Sequence, residues 1–316
     1  VFIRNFYGVV RVLRIGPIML MDNLKTLHGF VDERTPRAPL TYYSPNSGIG
    51  RALHSKMTMK PSLKVGVIGL GVGSVACYDR PGDAYSFFEI NPTVSDLAGP
   101  TSRTFRNLRG APAPVELVEG DGRLILEREL EEGHPRQFDL LAVDAFTGDS
   151  VPWHLLTIEA IRLYFGHLAP DGILAIHVTN PLPVDRLAIL SARELGLYGV
   201  YIVDVPTPGA LPSQWHSKSR YVLLAKAPEV LSDPVIQEGA LVGFGPKVFR
   251  GESRDSWKLA FLKRDTAWTD SRSSSWDLIY KRSVLDELKD LGIRPVPVSR
   301  VAPSTSPSLL PRALSR

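Results

Sequence analysis

The sequence predicts an α/β fold in which a doubly wound sheet follows a small N-terminal β-domain. Two observations carry that expectation. From Lys64 onward, strand-like apolar runs alternate with segments long enough to be helices that cross back over a sheet. The runs KVGVIGL, AYSFFEI, VELVEG, FDLLAVDAF, GILAIHVTN, YGVYIVDV and RYVLLAKA are predominantly apolar, as strands covered on both faces are.

Each part of the chain follows in order. Residues 1–45 read as short strands, FYGVVRVLRI, IMLMDN and LKTLHGFV, interrupted at Gly16-Pro17 and Asn23 and joined as hairpins. After a loop bearing Pro36 and Pro39, a helix is predicted from Ser47 through Met59. Residues 46–227 hold the sheet, with crossing helices at 121–131, 155–168 and 184–196. Its last run, RYVLLAKA, follows another strand after the Pro/Gly loop 206–213; such a closing hairpin is typical of a Rossmann-like, methyltransferase-type doubly wound sheet. Residues 228–293 read as an accessory segment, helical at 229–239 and 276–291. Residues 294–316 read as a disordered basic tail rich in Pro and Ser.

Composition narrows the function. The 316 residues carry 37 basic and 33 acidic side chains, a net charge of +4. The tail holds Arg294, Arg300, Arg312 and Arg316 and no acid; removing these four from the 37 leaves 33, equal to the acids. Charge therefore makes no case for nucleic acid. A single cysteine, Cys77, excludes a disulfide framework and a cysteine-based zinc site, which makes the cytoplasm the expected compartment. Seven scattered histidines without paired spacing predict no metal site. No apolar run reaches the ~18 residues that span a bilayer, and no signal peptide is visible. The chain opens on Val1 inside a strand-like run, which leaves open an upstream region and, with it, membrane association.

The strongest local motif is Val65-Gly66-Val67-Ile68-Gly69-Leu70-Gly71-Val72-Gly73, an apolar strand running into a glycine turn. Gly69, Gly71 and Gly73 permit a tight turn and close backbone approach to a cofactor that would meet the following helix N-terminus. The spacing suits adenosyl cofactors better than dinucleotides, since position 74 is Ser. Glu89 ends the next strand in FFEIN, where a carboxylate can accept both ribose hydroxyls. Asp121 follows the third strand in EGDGR, where it can receive the adenine amine, with Gly122 beside it in the same pocket. The plainer reading of both acids is helix capping. Beyond the fourth strand, Asp144 and Asp149 in VDAFTGDSVP can hold a cationic substrate or take a proton from an attacking amine. Asp149 reads equally as part of a solvated turn. His177 ends the fifth strand in AIHVTN and could face the cleft, though the favoured reading is a core or loop histidine; Cys77 reads as a core residue and Trp268-Thr269-Asp270 as packing.

Taken together, RNFYGVVRV, LHGFV, PLTYYSPNSGIGRAL, the glycine turn, FFEIN, GDGR, VDAFTGDSVPWHLLT and AWTD resemble the spermidine synthase-like proteins over about residues 4–270. The branch most resembled is bacterial and often carries a membrane-embedded region upstream. The resemblance implies aminopropyl transfer from decarboxylated S-adenosylmethionine to a diamine such as putrescine. In that reading Asp144 orients or deprotonates the amine, Tyr43 or its neighbour Tyr42 bonds it, and Glu89 and Asp121 bind ribose and adenine. A homodimer is among the expected assemblies.

The departures lie in the amine pocket. Val72 stands where the family has an aspartate for the aminopropyl amine, and Val31 where it has a glutamine. Tyr42-Tyr43-Ser44-Pro45 lacks the glutamate two residues past the tyrosine, and Asp144 and Asp149 are more widely spaced than the family pair. Two other readings therefore stand beside the first: methyl transfer from S-adenosylmethionine, and a nucleoside-binding module of weak activity.

Overall fold

The computed structural model describes residues 1–24, 26–35, 37–145, 152–206, 216–263, 265–271 and 281–295. The N-terminal strands β1 (Phe2–Asn5), β2 (Gly8–Ile15), β3 (Ile18–Asp22) and β4 (Leu27–Asp32) form an antiparallel meander in chain order. Alternation in β2 buries Val10 and Val12 and leaves Arg11 to pair with Asp22 on β3 at 2.8 Å. Four strands cannot bury a core alone. Met19 and Met21 share one with Val65, Val67 and Val72 of the glycine-turn motif.

The larger sheet holds β5 (Lys64–Ile68), β6 (Ala84–Glu89), β7 (Val115–Glu119), β8 (Phe138–Val143), β9 (Leu168–His177), β10 (Tyr198–Asp204), β11 (Ser219–Ala225) and β12 (Ala240–Phe244). Their spatial order is β7-β6-β5-β8-β9-β11-β10-β12. The first five in that order run parallel, and β11 and β12 are antiparallel to their neighbours. The chain winds outward from β5 to β7 and then returns to place β8 against the other side of β5. That reversal opens a crevice at the carboxyl ends of β5 and β8, where ligands bind in sheets of this type.

Helices cover both faces. Helix α1 (Gly48–Met59), capped by Ser47, packs Ile49, Ala52 and Leu53 against Leu140 and Ala142 of β8. Helix α2 (Pro92–Ala98) follows β6. On the other face, α3 (Gly122–Glu131), α4 (Ile158–His167) and α5 (Val184–Glu194) cover Leu141 and Val143. Among the described residues, no helix is long and apolar enough to cross a membrane.

The accessory segment differs from its predicted helical character. It is helical at Pro234–Gly239 and Val284–Asp290, but between them β12 adds an eighth strand beside β10. Residues 276–280 of the second predicted helix lie outside the described residues. The strand arises because Ala240–Phe244 is largely apolar and lies between Gly239, the last residue of one helix, and Gly245, the N-cap of the short helix Pro246–Phe249. Helix α5 anchors the C-terminal part. Asp185, fully buried, accepts the Tyr201 hydroxyl and the Val284 backbone N–H, each at 3.0 Å. Arg186 beside it donates to Glu287 at 2.9 Å and also binds Asp265.

Asp185→Ala strands the Tyr201 hydroxyl and the Val284 N–H without water. Chemical unfolding is expected to show a loss of about 2–5 kcal/mol, and Asp185→Asn, which keeps acceptors, a smaller one.

Candidate active site

Close packing sets the crevice. Gly69, Gly71 and Gly73 all have positive φ, at 98°, 54° and 75°. A Cβ on Gly69 would stand 2.3 Å from the Asp144 carbonyl oxygen, so only glycine lets the end of β5 meet the end of β8. The following element is a 3-10 turn, Ser74–Tyr78, where an α-helix was expected. Pro81 and Gly82 prevent extension, and Asp79 is tied by Arg37 and by the Ala113 N–H at 3.0 Å. The helix terminus invoked for cofactor binding is therefore one short turn. Cys77 lies on it, with its thiol pushed up to about 12 by burial, as an inert packing residue has.

Glu89 is 8% exposed and braces this turn. Its Oε2 accepts the Leu70 N–H and its Oε1 the Asn91 N–H, both at 2.8 Å. Burial raises its carboxyl above the usual range, against the pull of these backbone donors. Asp121 caps α3 through the Arg123 N–H at 2.9 Å and the Leu124 N–H at 3.2 Å. Its other oxygen meets His154 Nε2 at 2.9 Å, and that bond leads the effects that hold it below its usual range. Gly122 begins α3 where a Cβ would crowd Phe88 at 2.9 Å. The neighbouring Arg123 pairs with Asp270, whose Oδ1 also accepts the Thr157 hydroxyl at 2.8 Å. Trp268 is buried edge-to-face against Trp153, ring centroids 4.9 Å apart. The GDGR, PWHLLT and WTD tracts are thus one bonded unit, and Asp270 does more than pack.

The centre of the site is Asp144, which follows β8 with its side chain 3% exposed. Tyr43 donates its hydroxyl to Oδ2 at 2.5 Å, and His177 Nδ1 meets Oδ1 at 2.7 Å. Thr179 closes the far side of the imidazole, 2.8 Å from Nε2, while its oxygen accepts the Arg220 N–H at 2.8 Å. Asp144 and Thr179 thus hold the two ring nitrogens of His177 from opposite sides. Tyr42 and Tyr221 stack on the two faces of the His177 ring, at 4.7 and 4.8 Å. Burial pushes the Asp144 carboxyl upward, but His177 and Tyr43, with a smaller contribution from His28, bring it below its ordinary value. Burial first and Asp144 second raise the Tyr43 hydroxyl far above its ordinary value, so it remains a donor.

Asp144, Tyr43 and Tyr42, named from sequence, come together here; Asp149 lies outside the described residues. His177, for which the favoured sequence reading was a core or loop residue, is a direct partner of Asp144. The available signal was its place at a strand end on the same sheet edge. Above the crevice, the His28 carbonyl approaches Gly71, and Gly29 on β4 presents its bare Cα to Val72, whose Cγ2 would lie 2.6 Å from a Cβ there. Val72 is fully buried. The position that carries an acid in the resembled family is here apolar packing between the two sheets.

The structure superposes on a probable spermidine synthase from Corynebacterium glutamicum ATCC 13032 with a TM-score of 0.59 and 16% identity, over 87% of this chain and 97% of that one. The fold is that of the spermidine synthases. The Thermotoga maritima spermidine synthase matches at a TM-score of 0.52 and 14% identity, over 92% of this chain and 87% of its own. In sequence, the N-terminal histidine N-methyltransferase of Emericella nidulans is 30% identical over 130 residues, 41% of this chain. The chain spans 22% of that protein's length. No protein-family model matches the chain. Identities this low establish fold, and function must be argued from the site.

The ionised Asp144 links the site to pH. Its folded value lies below the unfolded one, so it contributes stability above about pH 4, and that contribution is lost as pH falls through the folded value. Tyr43→Phe removes one donor to the charge. Denaturant unfolding at pH 7 is expected to show a loss of about 1.5–3 kcal/mol, and the gap to the unmodified protein is expected to narrow below about pH 4.

Proposed function

We propose that this chain moves an aminopropyl group from decarboxylated S-adenosylmethionine to a diamine such as putrescine. The observation that carries the reading is the buried, ionised Asp144 at the sheet's switch point, gripped by Tyr43 and His177. A carboxylate offers about four lone-pair sites, and two remain for the protons of an amine.

The chemistry suits a carboxylate held as an anion. The amine nitrogen forms a bond to the carbon beside the sulfonium, the carbon–sulfur bond breaks, and neutral methylthioadenosine leaves. Positive charge passes from sulfur to nitrogen during this step. A fixed anion beside the nitrogen is therefore bound more strongly to the transition state than to the neutral amine. An aspartate held below its ordinary value is a weak base, so alignment and charge stabilisation are the roles derived for Asp144; the surplus proton leaves the product ammonium to water. Tyr43 and His177 hold the carboxylate's orientation. Gly69, Gly71, Gly73 and Gly122 would admit the adenosyl group, with Glu89 and Asp121 toward ribose and adenine.

A second reading, methyl transfer from S-adenosylmethionine, is favoured by one feature. Val72 leaves the glycine turn without a carboxylate for the aminopropyl ammonium.

Incubation with each donor and putrescine separates the two. The expected result is methylthioadenosine from the decarboxylated donor, dependent on the amine and reduced about a hundredfold or more in Asp144→Asn. S-adenosylhomocysteine from S-adenosylmethionine, with no methylthioadenosine, would establish methyl transfer instead. Binding of the donors without either product would leave a nucleoside-binding module.

A further inference from the structure

A second buried carboxylate lies along the same edge of the sheet. In the strand register, Tyr221 on β11 is opposite His177 on β9 and Ile202 on β10, so these side chains project from one face. Asp204, two residues past Ile202, shares that face. Asp144, His177, Tyr221 and Asp204 thus form a row across four adjacent strands.

Asp204 is 4% exposed, and its Oδ2 accepts the Ser44 hydroxyl at 2.7 Å and His216 Nε2 at 2.5 Å. No lysine or arginine among the described residues pairs with it. Ser44 also lies 3.2 Å from His216 Nε2. Serine and aspartate meet the same ring nitrogen, which excludes a hydrolytic triad, where they occupy opposite nitrogens.

Two neighbouring hydroxyls have no partner among the described residues. Tyr221 Oη and Thr41 Oγ1 are unbonded although both residues are fully buried. Thr41 bridges to His216, and Tyr221 separates the two carboxylates along the row. Burial pushes the Tyr221 hydroxyl far above its ordinary value, and both Asp144 and Asp204 push it further. It therefore stays protonated, and its unbonded oxygen can accept a hydrogen bond from an ammonium, a group that has only donors to offer.

We propose that Asp204, with Ser44, His216 and the Tyr221 hydroxyl, is a second cation subsite that holds the distal amine of an aliphatic diamine while Asp144 aligns the reacting one. This rests on the aminopropyl-transfer reading for the purpose of the subsite. The tract Tyr42-Tyr43-Ser44-Pro45 contains no acid, and Ser44 instead meets one from β10. Tyr43 and Ser44 then address the two carboxylates from consecutive positions.

Calorimetry with 1,4-diaminobutane and 1-aminobutane on the full chain tests it. The diamine is expected to bind about tenfold or more tightly than the monoamine, a ratio that falls toward one in Asp204→Asn and is reduced in Tyr221→Phe. Tyr221→Phe removes only an unbonded hydroxyl, so it guards against loss of the fold. A ratio unchanged in both variants, or no amine binding at all, would overturn the subsite. Methylthioadenosine release alongside an unchanged ratio defeats the subsite alone; an Asp204-dependent ratio without methylthioadenosine defeats aminopropyl transfer alone.

Discussion

Asp144 keeps a negative charge where water hardly reaches, and the arrangement around it follows from that requirement. Burying an isolated carboxylate is costly enough that the group would protonate instead. Here two hydrogen bonds offset the cost, one from the tract that leads into α1 and one from the end of β9. Those donors are themselves placed by packing: His177 is stacked between Tyr42 and Tyr221, and Tyr43 is held through its carbonyl by the Tyr78 hydroxyl at 2.5 Å. The N-terminal sheet closes over the same point, with β4 against the glycine turn. The small sheet is thus part of the wall of the site rather than an appendage.

The same logic separates local charge from total charge. The net +4 equals the tail arginines, so the remainder of the chain has no excess of either sign. The candidate site holds single acids at strand ends, each in a different surrounding. Glu89 is raised by burial while it braces a backbone turn; Asp121 is lowered by His154; Asp144 is lowered by two donors against burial. Three like groups are thus held at different points by their surroundings, a pattern that marks functional sites.

The sheet was legible in the sequence because its strands are apolar runs separated by crossing helices, a signal carried by local pattern. The strand β12 was less so: five residues between two glycines are too few to establish a period. The 3-10 turn after Gly73 had local terminators in Pro81 and Gly82, which the glycine motif overshadowed. His177 illustrates the harder limit. Its meeting with Asp144 is set by the parallel register of β8 with β9, a contact between residues 33 apart in sequence that no local pattern encodes. Arg123 and Asp270, 147 residues apart, were hidden for the same reason. Asp144 was reached from its place at a strand end and Tyr43 through resemblance, and the structure then supplied the bond between them.

The carboxyl carbon of Asp144 reports the ionisation of that side chain directly. Aspartate labelled with 13C at the side-chain carboxyl, compared between the unmodified protein and Asp144→Asn, isolates one resonance for titration. A midpoint below the ordinary aspartate range, moving upward in Tyr43→Phe and again in His177→Asn, is the expected result. A midpoint at or above the ordinary range would mean that burial outweighs both donors, and a neutral Asp144 would contradict the charge-stabilising role assigned to it.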